Sequence, residues 1–98
     1  MIRVLLPFHL RNLAGITGEV TVDVAGPARI RTVLETIEAR FPVLRGTIRE
    51  HGTLKRRSLV RFFVSKEDWS DRPMDTVLPD EIARGKEPLL IIGAMAGG

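Results

Sequence analysis

At 98 residues the chain has room for one domain with a modest core, burying about 60–70 % of the surface its unfolded form exposes. An apolar fraction of 44 % argues for a folded globule rather than disorder, and the lack of cysteine excludes disulfides, thiolate metal sites and a cysteine nucleophile. The net charge of +3 hides a segregation: residues 45–61 carry Arg45, Arg49, Lys55, Arg56, Arg57 and Arg61 against Glu50 alone, whereas residues 62–98 are net acidic.

The opening "MIRVLLPFHLRNL" is broken by Pro7, His9 and Arg11 and has no small-residue cleavage site, so it does not have the layout of a signal peptide. No run approaches the roughly 18–20 apolar residues of a membrane helix. A soluble, cytoplasmic protein without membrane partners is expected. Ile2, Val4, Leu6 and Phe8 alternate with Arg3, Leu5 and Pro7, which predicts a strand over 2–8. "NLAGITG" supplies turn residues. Val20, Val22 and Val24 then alternate with Glu19, Thr21 and Asp23, so the first two segments predict a hairpin.

After Pro27, a residue at home near a helix start, the apolar spacing changes to Ile30, Val33, Leu34, Ile37 and Phe41. Steps of three and four predict a helix from Ala28 that lays one stripe on a core and stops at Pro42. Residues 43–58 predict a short helical turn followed by a loop at "TLKRRS", with the basic run read as a solvated connection. Val60, Phe62 and Val64 alternate with Leu59, Arg61 and Phe63 as another strand. "SKEDWSDRPMD" is turn-rich, with room for a short edge strand near Trp69 or over 76–78, and "LPDEIARGKEP" is a polar or single helical turn. "LLIIG", unbroken and apolar, predicts a final strand that is either buried on both faces or placed centrally in the sheet. A helix across one face of a mixed sheet satisfies the two-layer rule.

The usual catalytic constellations are missing. His9 and His51 do not form a metal-spaced pair, with His9 expected at a strand end and His51 in a turn. No serine lies in G-x-S-x-G, and the glycines form neither a P-loop nor a dinucleotide fingerprint. Trp69 reads as a partly buried anchor. The basic run has no interleaved aromatic residue, which argues against a nucleic-acid platform.

Gly97 and Gly98 remain. They follow the last predicted strand closely, and residues 94–98 span at most about 17 Å when extended, enough to enter another protein's active site. Glycine has no Cβ, so its backbone threads a narrow channel and its carbonyl carbon is unhindered. Ala94 and Ala96 extend that slim profile, and Met95 suits an irregular apolar groove. The division expected is a globular domain over 1–93 and a flexible tail over 94–98.

This order of elements ending in "LPDEIARGKEPLLIIGAMAGG" resembles the ubiquitin-like sulfur carriers of the MoaD/ThiS type, and "VLLPFHLRNLAG" is similar to the start of the molybdopterin synthase small subunit. The resemblance implies an α+β, β-grasp fold: a mixed sheet of four to five strands with one main helix packed across it. It implies a carrier rather than an enzyme. A ubiquitin-activating-type adenylating partner, using ATP and Mg²⁺ that this chain does not bind, would convert the Gly98 carboxylate into an acyl adenylate. Sulfur from a persulfide would then give a thiocarboxylate, with Gly97 beside it. The acceptor implied is an enzyme such as the molybdopterin synthase large subunit, in molybdenum cofactor synthesis. Carriage for thiamine, cysteine or tRNA thiolation, and a protein modifier joined to lysines through Gly98, are alternatives. A plain binding module holding RNA with residues 45–61 is a third class. Phe63 or Leu5 on the outer sheet face would dock partners, unless both belong to a second small core. Asp80, Glu81 and Glu87, taken as lying near the tail, would steer a basic partner unless they only solubilise.

Overall fold

Pro7 ends the first strand. The computed structural model describes residues 1–93, and in it β1 covers only Ile2–Leu5. Pro7, with no N–H to give a ladder, sits instead at the N-cap of a helix, α1 (Phe8–Ala14). Leu10 faces the core and Phe8 faces solvent. Gly15 closes the helix at φ 69°, and the N–H of Ile16 returns to the carbonyl of Arg11 at 2.8 Å. Of the expected strand over 2–8 only Ile2–Leu5 is strand and Phe8 already begins α1, and His9 lies in α1 rather than at a strand end.

The two valine-rich segments still pair. β2 (Val20–Val22) runs antiparallel to β1 with Ile2 opposite Val22, but a helix rather than a tight turn connects them. α2 (Ile30–Arg40) is the main helix. The Thr32 hydroxyl accepts a hydrogen bond from the Arg29 N–H at 3.1 Å, and the Leu78 N–H donates to the Ala28 carbonyl at 2.8 Å. Ile30, Val33, Leu34 and Ile37 form the buried stripe the spacing predicts. Pro42 does not simply stop the chain: it opens a short 3-10 turn, Pro42–Leu44, whose Leu44 is fully buried.

β3 (Val60–Val64), β4 (Glu67–Asp68), α3 (Asp80–Ala83) and β5 (Leu89–Gly93) complete the fold. The edge strand falls just before Trp69, and the segment 76–78 contributes only a single bridge, between Val77 and Arg29. The strand order is β2-β1-β5-β3-β4. β5 is central, parallel to β1 and antiparallel to β3. The inner face carries Val4, Val22, Phe62, Leu89 and Ile91 against α2. The outer face is only partly covered: Leu90 is half-buried and Ile92 exposed, so of the two expected alternatives for β5 the central place holds and burial on both faces does not. Among the described residues no helix is long and apolar enough to cross a membrane.

Candidate functional site

The last described residue, Gly93, leaves the sheet between β3 and α1. Its register partner is Val60. A Cβ built on it would stand 3.1 Å from Cε1 of His9 and 3.4 Å from Cγ of Pro7. The exit is therefore walled by the strand-to-helix junction that Pro7 creates. Gly97 and Gly98, the expected reactive residues, and Met95 fall at 94–98, outside the described residues.

Two grooves meet at this exit. One, of about 370 Å³, is lined largely by Leu5, Pro7, Phe8, Leu90 and Ile92, with Arg11 at its edge. The other, of about 340 Å³, is more polar and includes Thr47, Glu50, Arg57 and Ser58. His9 and Gly93 line both. Phe8 is 73 % exposed and Ile92 49 %. Leu5 and Phe63, the docking residues expected from the sequence, are half-buried. Each is in register with Leu90 between them, so they form a continuous apolar row on the outer face.

The acidic residues expected beside the tail are at the other end of the sheet. β5 begins at Leu89, level with Val4 of β1, and four residue steps at about 3.3 Å separate it from Gly93, about 13 Å. Residues 80–87 belong to that starting end. A Cβ on Gly85 would lie 2.6 Å from the Met1 carbonyl oxygen, and Arg3 donates to the carbonyls of Gly85 at 3.1 Å and Lys86 at 3.3 Å. Asp80, Glu81 and Glu87 therefore do not flank the exit. Local order in sequence misled here, because a strand carries its two flanks to opposite edges.

The basic segment is not a uniformly solvated run either. Arg49 is buried and paired with Glu38. Arg56 donates to the carbonyls of Ser70 at 3.0 Å and Val60 at 2.7 Å, tying the loop to β3. Arg57 stays exposed, its side chain donating to the Gly46 carbonyl at 3.2 Å. Elsewhere, hydrogen bonds from Ser70, with Arg61 adding to them, hold the Asp68 carboxyl below its ordinary value. The hydrogen bond from Arg3 does the same to Glu19, and that pair raises Arg3 in turn. Trp69 is buried, as an anchor would be, with Arg72 stacked 4.4 Å from its ring centre. Among the described residues no group of His, Asp and Glu could hold a metal ion.

A mixed five-strand sheet of this order, grasping one main helix, is a β-grasp, ubiquitin-like fold. Two solved structures share it. SAMP1 from Haloferax volcanii superposes with a TM-score of 0.74 at 19 % identity, over 98 % of this chain and 97 % of that one. A chain of the Amycolatopsis orientalis BexX/CysO complex superposes with a TM-score of 0.72 at 20 % identity, over the full length of both. No family model matches the sequence, and no curated protein matches it.

Proposed function

We propose that this chain is a ubiquitin-like sulfur carrier whose reactive group is the Gly98 carboxyl. The observation that carries the reading is the placement of β5: the central strand of the β-grasp sheet delivers the chain to an exit walled by Pro7, His9 and Val60, five residues before Gly98. A central strand is the most firmly held element of a sheet, so the globule serves as a rigid handle for the chain beyond Gly93. Both neighbours support a carrier or modifier. CysO is a sulfur carrier solved with BexX, and SAMP1 is a small archaeal modifier.

The chemistry follows from the weakness of a carboxylate as an electrophile. A ubiquitin-activating-type partner joins the Gly98 carboxylate to the AMP of ATP and releases pyrophosphate. A persulfide attacks the acyl adenylate, AMP leaves, and an acyl disulfide forms. A second thiol cleaves its S–S bond, itself becoming a disulfide, and a thiocarboxylate remains on Gly98. That sulfur is ionised near neutral pH and is a soft nucleophile, as thiolate is among cysteine forms. The absence of cysteine leaves no internal thiol to intercept the activated carbonyl. A molybdopterin synthase large subunit is the acceptor proposed first.

Intact mass spectrometry tests the reading. The chain, an adenylating enzyme, ATP and a persulfide donor should yield the mass gain of oxygen-to-sulfur exchange at Gly98. No gain, or a ladder of lysine conjugates without thiocarboxylate, would replace carriage with a binding or modifier role.

A further inference from the structure

We propose that Met95 latches the chain beyond Gly93 to its own globule, with the thioether seated in the groove of about 340 Å³ between α1 and the loop that precedes β3. The latch belongs to this chain alone and does not depend on what the Gly98 carboxyl carries.

Strand geometry selects the groove. Successive residues of a strand point to opposite faces. Leu89 and Ile91 are buried on the inner face, whereas Leu90 is half-buried and Ile92 exposed on the outer one. A Cβ on Gly93 would point at His9 and Pro7, and both line the 340 Å³ groove. One further alternation turns position 95 to the inner side and leaves Ala94 and Ala96 to the outer side, where Leu90 and Ile92 line the other groove. Two residue steps cover about 7 Å. Val60, the register partner of Gly93, lines the inner groove together with Ser58 and Leu59, so that span ends over it.

The groove suits one apolar side chain. Its volume is at the lower limit of ligand-sized clefts, which run from about 300 to 1,000 Å³. Leu10 and Val60 give it a buried wall, and Leu59 stands 49 % exposed at its side. Among the described residues its lining carries one guanidinium, Arg57, and one carboxylate, Glu50, so charge does not choose the occupant. Of residues 94–98 only Met95 has a side chain larger than a methyl group, and an unbranched thioether adapts to an irregular cleft. The sheet ladder offers the segment little, because the chain before β3 turns away. The Val60 N–H donates to the Arg57 carbonyl at 2.9 Å, and the Arg57 N–H donates to the Ile48 carbonyl at 2.9 Å. One side chain therefore does the holding, against the cost of ordering its rotamers and two residues of backbone. A latch so balanced opens and closes.

Its consequence is reach. With Met95 seated, residues 96–98 project about 10 Å at most. Released, residues 94–98 extend to about 17 Å. A shallow site can receive the terminus from the latched form, and a deep one must first draw Met95 out.

The experiment uses the full chain with ¹³C-labelled methyl groups. Nuclear Overhauser contacts are expected from the Met95 methyl to the methyls of Leu10 and Leu59. Met95→Ser should erase them and shift both leucine resonances, and Met95→Leu should restore the wild-type shifts. Oxidation by dilute hydrogen peroxide, followed by peptide mass spectrometry, measures the seat independently. Met95 should oxidise about fourfold more slowly in wild type than in Leu59→Ser, the factor for a seat filled about three-quarters of the time. Leu59 is half exposed, so that substitution leaves the core in place. No contact to either leucine, contacts to Phe8 or Ile92 instead, or equal oxidation rates in the two proteins would each overturn the latch. Sulfur exchange at Gly98 is a separate measurement. Its failure with Met95 seated removes the carrier role alone, and its success with Met95 unseated removes the latch alone.

Discussion

Arg49 donates two hydrogen bonds to the Glu38 carboxylate, through Nε at 2.9 Å and Nη2 at 2.7 Å, with both residues almost wholly withdrawn from water. Glu38 lies on α2 and Arg49 in the segment beyond the 3-10 turn, so the pair clamps that segment to the main helix. Removing one partner leaves a buried charge without compensation. Arg49→Ala is expected to lower stability by about 3–5 kcal/mol, while Glu38→Leu with Arg49→Met stays near wild type or gains about 1–4 kcal/mol. Urea denaturation of the three proteins checks this. A loss under about 1 kcal/mol in the single variant would place the pair among ordinary surface bridges.

Gly93 and His9 couple the exit to α1. At 3.1 Å from the built Cβ, Cε1 of His9 must give way by a few tenths of an ångström. It lies at the end of a half-buried side chain, so the cost is modest. Gly93→Ala is expected to cost less than about 1.5 kcal/mol, most of it recovered in a His9→Ala background, with a coupling of at least about 0.5 kcal/mol. A double-mutant cycle measured by denaturation reads it directly, and additive effects would mean that the two do not touch in solution.

Period-two alternation in the strands and the three-and-four spacing of α2 were legible because each is local. The row Ile2, Val4, Leu6, Phe8 was deceptive because it continues across Pro7. The informative signals were Pro7 itself, as a helix start, and Leu10 and Ala14 four residues apart. Glu38 carried a signal too, since it is four residues beyond Leu34 on the buried stripe. A charge at such a position needs a partner, but nothing local says that Arg49 rather than Arg45 supplies it. The positions of Asp80, Glu81 and Glu87 relative to the exit were not legible at all. They depend on which way β5 runs beside β1, a property of the sheet and not of the residues between. The same is true of Phe8 and Ile92, which are brought to one groove only when β5 takes the centre.

Acid should weaken the fold through identifiable carboxylates. Asp68, Glu19 and Asp75 are all held below their ordinary values, by hydrogen bonds from Ser70, Arg3 and Arg31 respectively. A depressed native value means the unfolded state takes up the proton first as pH falls. The stability these groups add is therefore present above the ordinary values, 3.8 for aspartate and 4.5 for glutamate, and is lost as pH drops through the lower native ones. Each is solvent-exposed, so the individual contributions are small. Thermal melts should show Tm nearly constant from pH 7 to about pH 5 and falling below about pH 4. In Asp68→Asn the fall should be shallower. An identical acid limb in that variant would exclude Asp68 from it.

Gly98→Ala separates the fold from the proposed chemistry. Residue 98 lies five positions beyond Gly93, and the core cluster is already formed by the described residues, 1–93. A methyl group there should leave the circular dichroism spectrum and the denaturation midpoint at wild-type values. It adds bulk next to the carbonyl carbon that nucleophiles must approach, and it narrows the backbone conformations available in a tight channel. The rate of ATP-dependent oxygen-to-sulfur exchange, read by intact mass, is expected to fall about tenfold or more, which corresponds to about 1.4 kcal/mol of barrier. Ala96→Gly changes a position further from the carbonyl and should alter the rate less than about twofold, well under half of that barrier change. Equal rates for wild type and Gly98→Ala would mean that the acyl carbon of residue 98 is not where the partner's chemistry takes place.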